Sequence, residues 1–148
     1  MGRDRYRILD PTAPHFVTCT VLEWLPLFSQ PANVEILFSA LRFLQQESGV
    51  TLFGYVVMEN HCHLLLRAPN LPKALASFKS YTAAQIIERL TDRNSPVLRL
   101  LALHKARHKT DRTHQVWQEG SQPEQSSGEA MMLQKLDYIL RPCVLVPG

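Results

Sequence analysis

Tyr55-Val56-Val57-Met58-Glu59-Asn60-His61-Cys62-His63-Leu64-Leu65-Leu66-Arg67 places two imidazoles one residue apart inside an apolar run. Successive strand side chains point to opposite faces, so in a strand His61 and His63 share a face while Cys62 points the other way. That spacing brings two neutral nitrogen ligands close enough to grip one metal ion. Burying two polar rings among Val and Leu is costly unless they are paired or metallated. For a bare His-x-His, a pair of hydrogen-bonded strand histidines is the usual reading.

Working outward, the β-branched and aromatic types over residues 14 to 24 read as a first strand, closed by Pro26 and Pro31. Ile36, Leu37, Ala40, Leu41 and Leu44 form an apolar stripe at helical spacing, which predicts a helix from about Ala32 to Glu47, with Gly49 as its C-terminal cap. Residues 50 to 58 and 60 to 67 then form two strands, joined antiparallel by a tight turn at Glu59-Asn60. Pro69 to Pro72 break the sheet and open a second helix reaching about Leu90, with Leu71, Leu75, Phe78, Thr82, Ile86 and Leu90 as its buried stripe. A short helix is expected over 97–103, a basic loop over 104–114, a strand over 115–119 and a polar, flexible stretch over 121–127. A last helix is expected over 128–140, with Met132, Leu136 and Ile139 facing inward. The order β-α-β-β-α-β-α predicts an α+β fold, an antiparallel β-sheet with helices packed on one face.

The chain's 148 residues suit one domain, able to bury about two-thirds of its unfolded surface. Residues 1–13 read as a flexible arm and 104–128 as a basic and polar loop region. Hydrophobic residues are 45% and charged residues 20%, a globular balance. No apolar run approaches the roughly 20 residues that span a bilayer, and the charged start Met1 to Arg7 lacks an apolar signal core. With no such run, no membrane association is expected; Cys19, Cys62 and Cys143 form neither a CxxC pair nor an even disulfide set, so a reducing cytoplasm is expected.

Net charge is only +3, but Arg99, Lys105, Arg107, Lys109 and Arg112, interleaved with His104, His108 and His114, face only Asp111 within their own stretch. Such a cluster either neutralises phosphates, gaining affinity by counterion release, or merely solvates a loop.

Met58-Glu59-Asn60-His61-Cys62-His63-Leu64-Leu65 resembles the His-hydrophobic-His motif of single-tyrosine HUH transposases, in particular the REP-associated tyrosine transposases. Further matches follow in order: Phe78-Lys79-Ser80-Tyr81-Thr82 is similar to the family's Phe-Lys-Ser-Tyr-Thr helix, Trp117-Gln118-Glu119-Gly120 to its Trp-Gln-Glu-Gly segment, and Leu136-Asp137-Tyr138-Ile139 to its terminal Lys-x-x-Tyr-Ile helix. Together they cover roughly residues 14 to 141, far more specific than any one motif.

The resemblance implies a ferredoxin-like HUH transposase fold and a single-strand endonuclease and strand transferase. His61 and His63 would hold Mg²⁺ or Mn²⁺, although softness alone would favour Zn²⁺. Tyr138 would attack a DNA phosphodiester to give a 5′-phosphotyrosine intermediate. A free phenol, with pKa near 10, needs a cation or base to become a good nucleophile. Tyr81, beside Lys79 and Ser80, either contacts a phosphate or packs; Tyr55 reads as structural and Tyr6 lies in the arm. Single-stranded or hairpin DNA would be the partner, its backbone tracked by Lys79, Lys105, Arg107, Lys109 and Arg112. Trp117 could stack on a base, but Val-Trp in a strand is more often core. The residues leave open whether the tyrosine serves its own histidines or those of a second copy, so a homodimer is a further expectation.

The chain departs from the family after the tyrosine. In place of Tyr-Ile-His-x-Asn-Pro it reads Tyr138-Ile139-Leu140-Arg141-Pro142-Cys143 and ends at Gly148, like a truncated or divergent copy. The amide side chain expected one turn past the tyrosine is replaced by Pro142, and Gln134 or Glu59 is the substitute ligand on offer. The alternative is therefore a catalytically impaired DNA-binding remnant of the same fold. A zinc deaminase would need His-x-Glu followed by Pro-Cys-x-x-Cys, and the chain has neither.

Overall fold

The computed structural model describes residues 13–120, 123–125 and 128–145. The expected arm therefore lies, apart from Ala13, outside the described residues, as do Ser121, Gln122, Ser126 and Ser127. The elements are β1 (His15–Thr20), α1 (Pro31–Glu47), β2 (Thr51–Val57), β3 (His61–Arg67), α2 (Leu71–Asp92), α3 (Val97–Leu103), β4 (Glu124–Gln125) and α4 (Gly128–Leu145). Two single 3-10 turns, Leu22–Trp24 and Leu27–Ser29, join β1 to α1. The antiparallel sheet has the order β2-β3-β1-β4, so β3 and β1 are its interior strands.

Each helix forms where its apolar spacing and end residues agree. Pro31 opens α1, and Gly49 adopts φ +67 just past its end, where a side chain would also crowd Pro69. The Asn70 side chain accepts the Lys73 N–H at 3.2 Å to cap α2. All six residues of the expected α2 stripe are buried. The β2–β3 turn closes at Glu59-Asn60 as expected, with the Met58 N–H donating to the His61 carbonyl at 2.8 Å.

The sheet has two different covered faces. Val17 and Cys19 of β1 and Cys62, Leu64 and Leu66 of β3 pack against Leu37, Leu41 and Leu44 of α1 and Leu71, Leu75 and Phe78 of α2. On the opposite face Phe16, Val56 and Leu65 meet Leu136 of α4. The α+β antiparallel expectation is met, and α1 and α2 share one face; α4 lies on the other. Leu64, Leu65 and Leu66 in succession explain this, since an apolar run at both parities needs cover on both sides.

Two expectations are corrected. Residues 115–119 make a single bridge, Val21 to Trp117, rather than a strand. Their partner chain leaves the extended conformation after Val21 to enter the 3-10 turn, so no further ladder can form. Within 121–127, Glu124–Gln125 pairs with His15 and Phe16 on the outer edge of β1. Among the described residues no helix is long and apolar enough to cross a membrane.

Candidate active site

Parity along β3 puts His61 and His63 on the α4 face, with ring centroids 4.9 Å apart. The register sets Thr18 opposite His63 and Thr20 opposite His61. Thr18 Oγ1 is hydrogen-bonded to His63 Nδ1 at 3.0 Å. His61 Nδ1–H donates to Asn60 Oδ1 at 2.8 Å, because a carboxamide oxygen can only accept. That bond leaves the other nitrogen of His61, Nε2, as a bare lone pair. Phe16 stacks on His63, with centroids 5.1 Å apart and planes at 22°.

Both rings are held neutral. His63 is only 8% exposed, and burial, then the charges of His61 and Lys135, lower its pKa to about 4. Burial lowers His61 as well. Neutral imidazoles are the form that binds metal. With metal–nitrogen bonds of about 2.1 Å, two imidazoles on one ion have ring centroids roughly 4.5–5 Å apart, so the spacing here fits a shared divalent cation. Among the described residues no group of three or more His, Cys, Asp and Glu side chains forms a metal set.

Tyr138 comes to the same place from α4. Its ring lies edge-on to His63, 5.6 Å between centroids at 72°, and edge-on to Phe16 at 5.8 Å. It is 51% exposed. Lys135, three residues earlier and so on a neighbouring face of the helix, sets its ammonium 4.8 Å over the Phe16 ring. The other described tyrosines belong to the α1/α2 side of the sheet. Tyr55 pairs with Leu64 and meets Phe38 at 5.3 Å, and Tyr81 lines an apolar cleft with Ala40, Phe43 and Leu44. Tyr6 lies outside the described residues.

The basic residues separate. Lys79, Lys109 and Arg112 line a groove of about 730 Å³ between α2 and residues 108–120. Lys105 turns inward and donates to the Lys109 carbonyl at 2.8 Å, while Arg107 stands exposed. Arg112 forms a two-pronged pair with Asp111, and Lys109 lies 3.6 Å from Glu119. Glu119, beyond the basic stretch in sequence, adds an anion that charge counting within the stretch missed. Trp117 is core: 6% exposed, it donates from Nε1 to Thr82 Oγ1 at 2.9 Å and packs near Phe28 and Phe78.

Thr18, Asn60, Phe16 and Lys135 are site residues that sequence reasoning did not single out as such. Asn60 and Lys135 carried a local signal, adjacency to His61 and three-residue spacing from Tyr138. Thr18 and Phe16 needed the β1–β3 register.

A histidine pair on an interior strand and a tyrosine-bearing helix across it are thus set on an α+β, ferredoxin-like antiparallel-sheet fold. Two solved structures share it. A REP-associated tyrosine transposase bound to a REP hairpin superposes with TM-score 0.66 at 13% identity, over 96% of this chain and 73% of that one. A protein of Deinococcus radiodurans R1 assigned as a transposase gives TM-score 0.55 at 17% identity, over 95% of this chain and 97% of that one. No protein-family model and no curated protein matches the chain.

Proposed function

We propose that this chain is a tyrosine HUH transposase, a DNA endonuclease and strand transferase acting on single-stranded DNA displayed beside a hairpin. The observation that carries the reading is the Tyr138 ring 5.6 Å from His63, on the face where His61 and His63 stand side by side. The likeness to a transposase bound to a REP hairpin supports the choice of DNA.

In the proposed reaction Tyr138 Oη attacks the scissile phosphorus. An O–P bond forms to the 5′ phosphate and the P–O3′ bond breaks. The phenol gives up its proton to solvent and the departing 3′ oxygen takes one up, so the proton count is unchanged. Energy stays in the phosphotyrosine link, and another 3′ hydroxyl reverses the step to complete strand transfer. His61 and His63 are the residues that would hold Mg²⁺ or Mn²⁺, which when bound would polarise the phosphate and stabilise charge building on its oxygens. Lys135 adds a fixed positive charge on the tyrosine's own helix. Lys79, Lys109 and Arg112 would guide the DNA backbone along their groove, with Lys105 shaping the loop and Arg107 at its surface. Such an enzyme would work in the cytoplasm.

A second reading, a DNA-binding remnant without chemistry, is favoured by the lack of a third His, Cys, Asp or Glu ligand among the described residues. Incubating the protein with labelled hairpin DNA and Mn²⁺ separates the two. A denaturation-resistant protein–DNA band that disappears in Tyr138→Phe supports the enzyme; salt-sensitive binding with no band under any divalent ion supports the remnant.

A further inference from the structure

Four aromatic rings run in a row across this face: Trp24, His61, His63 and Tyr138, with successive centroids 6.3, 4.9 and 5.6 Å apart. The first of them has no part in the function proposed above. Trp24 is 60% exposed, although its neighbours Leu22, Leu27 and Phe28 are buried. Its backbone is unusual as well: Glu23 and Trp24 both have φ +55, a left-handed conformation that ordinary L-residues adopt at a cost.

The surrounding hydrogen bonds hold that conformation in place. Val21 N–H donates to the Asn60 carbonyl at 2.9 Å, Leu22 N–H to Val116 at 2.8 Å, and Phe28 N–H to Glu59 at 2.9 Å. The turn is thus tied to the β2–β3 connection on both sides of Trp24, directly beside His61. Core packing does not account for the strain, because the indole it displays is mostly in solvent. What the backbone achieves is a large flat aromatic surface held at the end of the histidine row.

We propose that Trp24 is a stacking platform for a nucleobase of the single-stranded substrate, next to the phosphate held at the histidines. This rests on the DNA-cleaving reading above. An aromatic face gains from any base laid on it, whatever its identity. A phosphate is the wrong occupant for this spot. The neighbouring Glu23 carboxylate, 3.7 Å from His104 Nδ1, makes the immediate surroundings unfavourable to an anion. An uncharged π-face next to a phosphate site is the chemistry of a nucleotide whose base and backbone are bound separately.

The test uses the full chain in chelator, so that cleavage does not enter, with a DNA hairpin carrying a short single-stranded tail. Tryptophan emission comes from Trp24 and Trp117, and Trp117 is buried. The tail is expected to shield Trp24 from acrylamide, while Trp24→Phe isolates the unresponsive Trp117 signal. Trp24→Ala should raise the Kd at least about fivefold, with Trp24→Phe recovering part of the loss. A tail with abasic nucleotides keeps its phosphates and should bind the wild type as weakly as intact DNA binds Trp24→Ala. Equal binding of intact and abasic tails, or an unchanged Kd in Trp24→Ala, overturns the platform and leaves the nuclease reading standing. Shielding that follows protein concentration without DNA would make Trp24 a contact between copies and likewise overturn it. If the wild type binds no hairpin DNA either in chelator or with Mn²⁺ restored, both readings fall.

Discussion

The Tyr138 ring stands edge-on to His63 of the same chain, with centroids 5.6 Å apart at 72°. The proposed nucleophile and the histidine pair are therefore already together in one molecule. Mixing Tyr138→Phe with His63→Ala should not restore covalent DNA adduct above the level of either variant alone. Recovery on mixing would show that the tyrosine works across a dimer.

Thr18 and Asn60 hold the histidines from behind, at 3.0 and 2.8 Å. Partners in this position typically contribute about 10- to 100-fold to metal affinity. Thr18→Val should weaken Mn²⁺ binding by about that factor, measured by electron paramagnetic resonance, and Thr18→Ser should restore it. An unchanged affinity in Thr18→Val would mean that the hydroxyl does not orient His63.

Thr82 tests the core rather than the site. It accepts the buried Trp117 Nε1–H at 2.9 Å and donates to the Phe78 carbonyl at 2.7 Å. Valine keeps the shape but strands the indole N–H, a loss of about 1–3 kcal/mol. Urea unfolding of Thr82→Val should show that loss without a change in adduct chemistry for the folded fraction.

With metal removed by chelator, the histidines make stability depend on pH. The folded-state pKa of His63 is lowered to about 4, chiefly by burial, from an ordinary value of 6.5. The unfolded chain therefore binds a proton over that window and the folded chain does not. Unfolding free energy should be fully present above pH 6.5 and fall as the pH drops toward 4, with His61 contributing in the same direction. A flat stability profile across this window would contradict the burial of His63.

What was legible in the sequence was local and periodic. The α2 stripe from Leu71 to Leu90 and the shared face of His61 and His63 follow from repeats of 3.6 and 2 residues, and both hold. Relationships set by register or by distant loops were not legible. Thr18 meets His63 because β1 and β3 pair in one register, and Glu119 meets Lys109 because a loop folds back on itself. The expected strand over 115–119 failed for a similar reason: its partner turns away at Val21. The left-handed backbone of Glu23 and Trp24 left no mark at all, since neither residue type favours it.

Peptide mapping of the trapped adduct tests the central claim most directly. After incubation with hairpin DNA and Mn²⁺, nuclease digestion and trypsin treatment, mass spectrometry should find a nucleotide joined through its 5′ phosphate to Tyr138, in the peptide that begins at Leu136. A nucleotide on Tyr81, Tyr55 or Tyr6, or a cleaved DNA strand with no modified tyrosine, would contradict it.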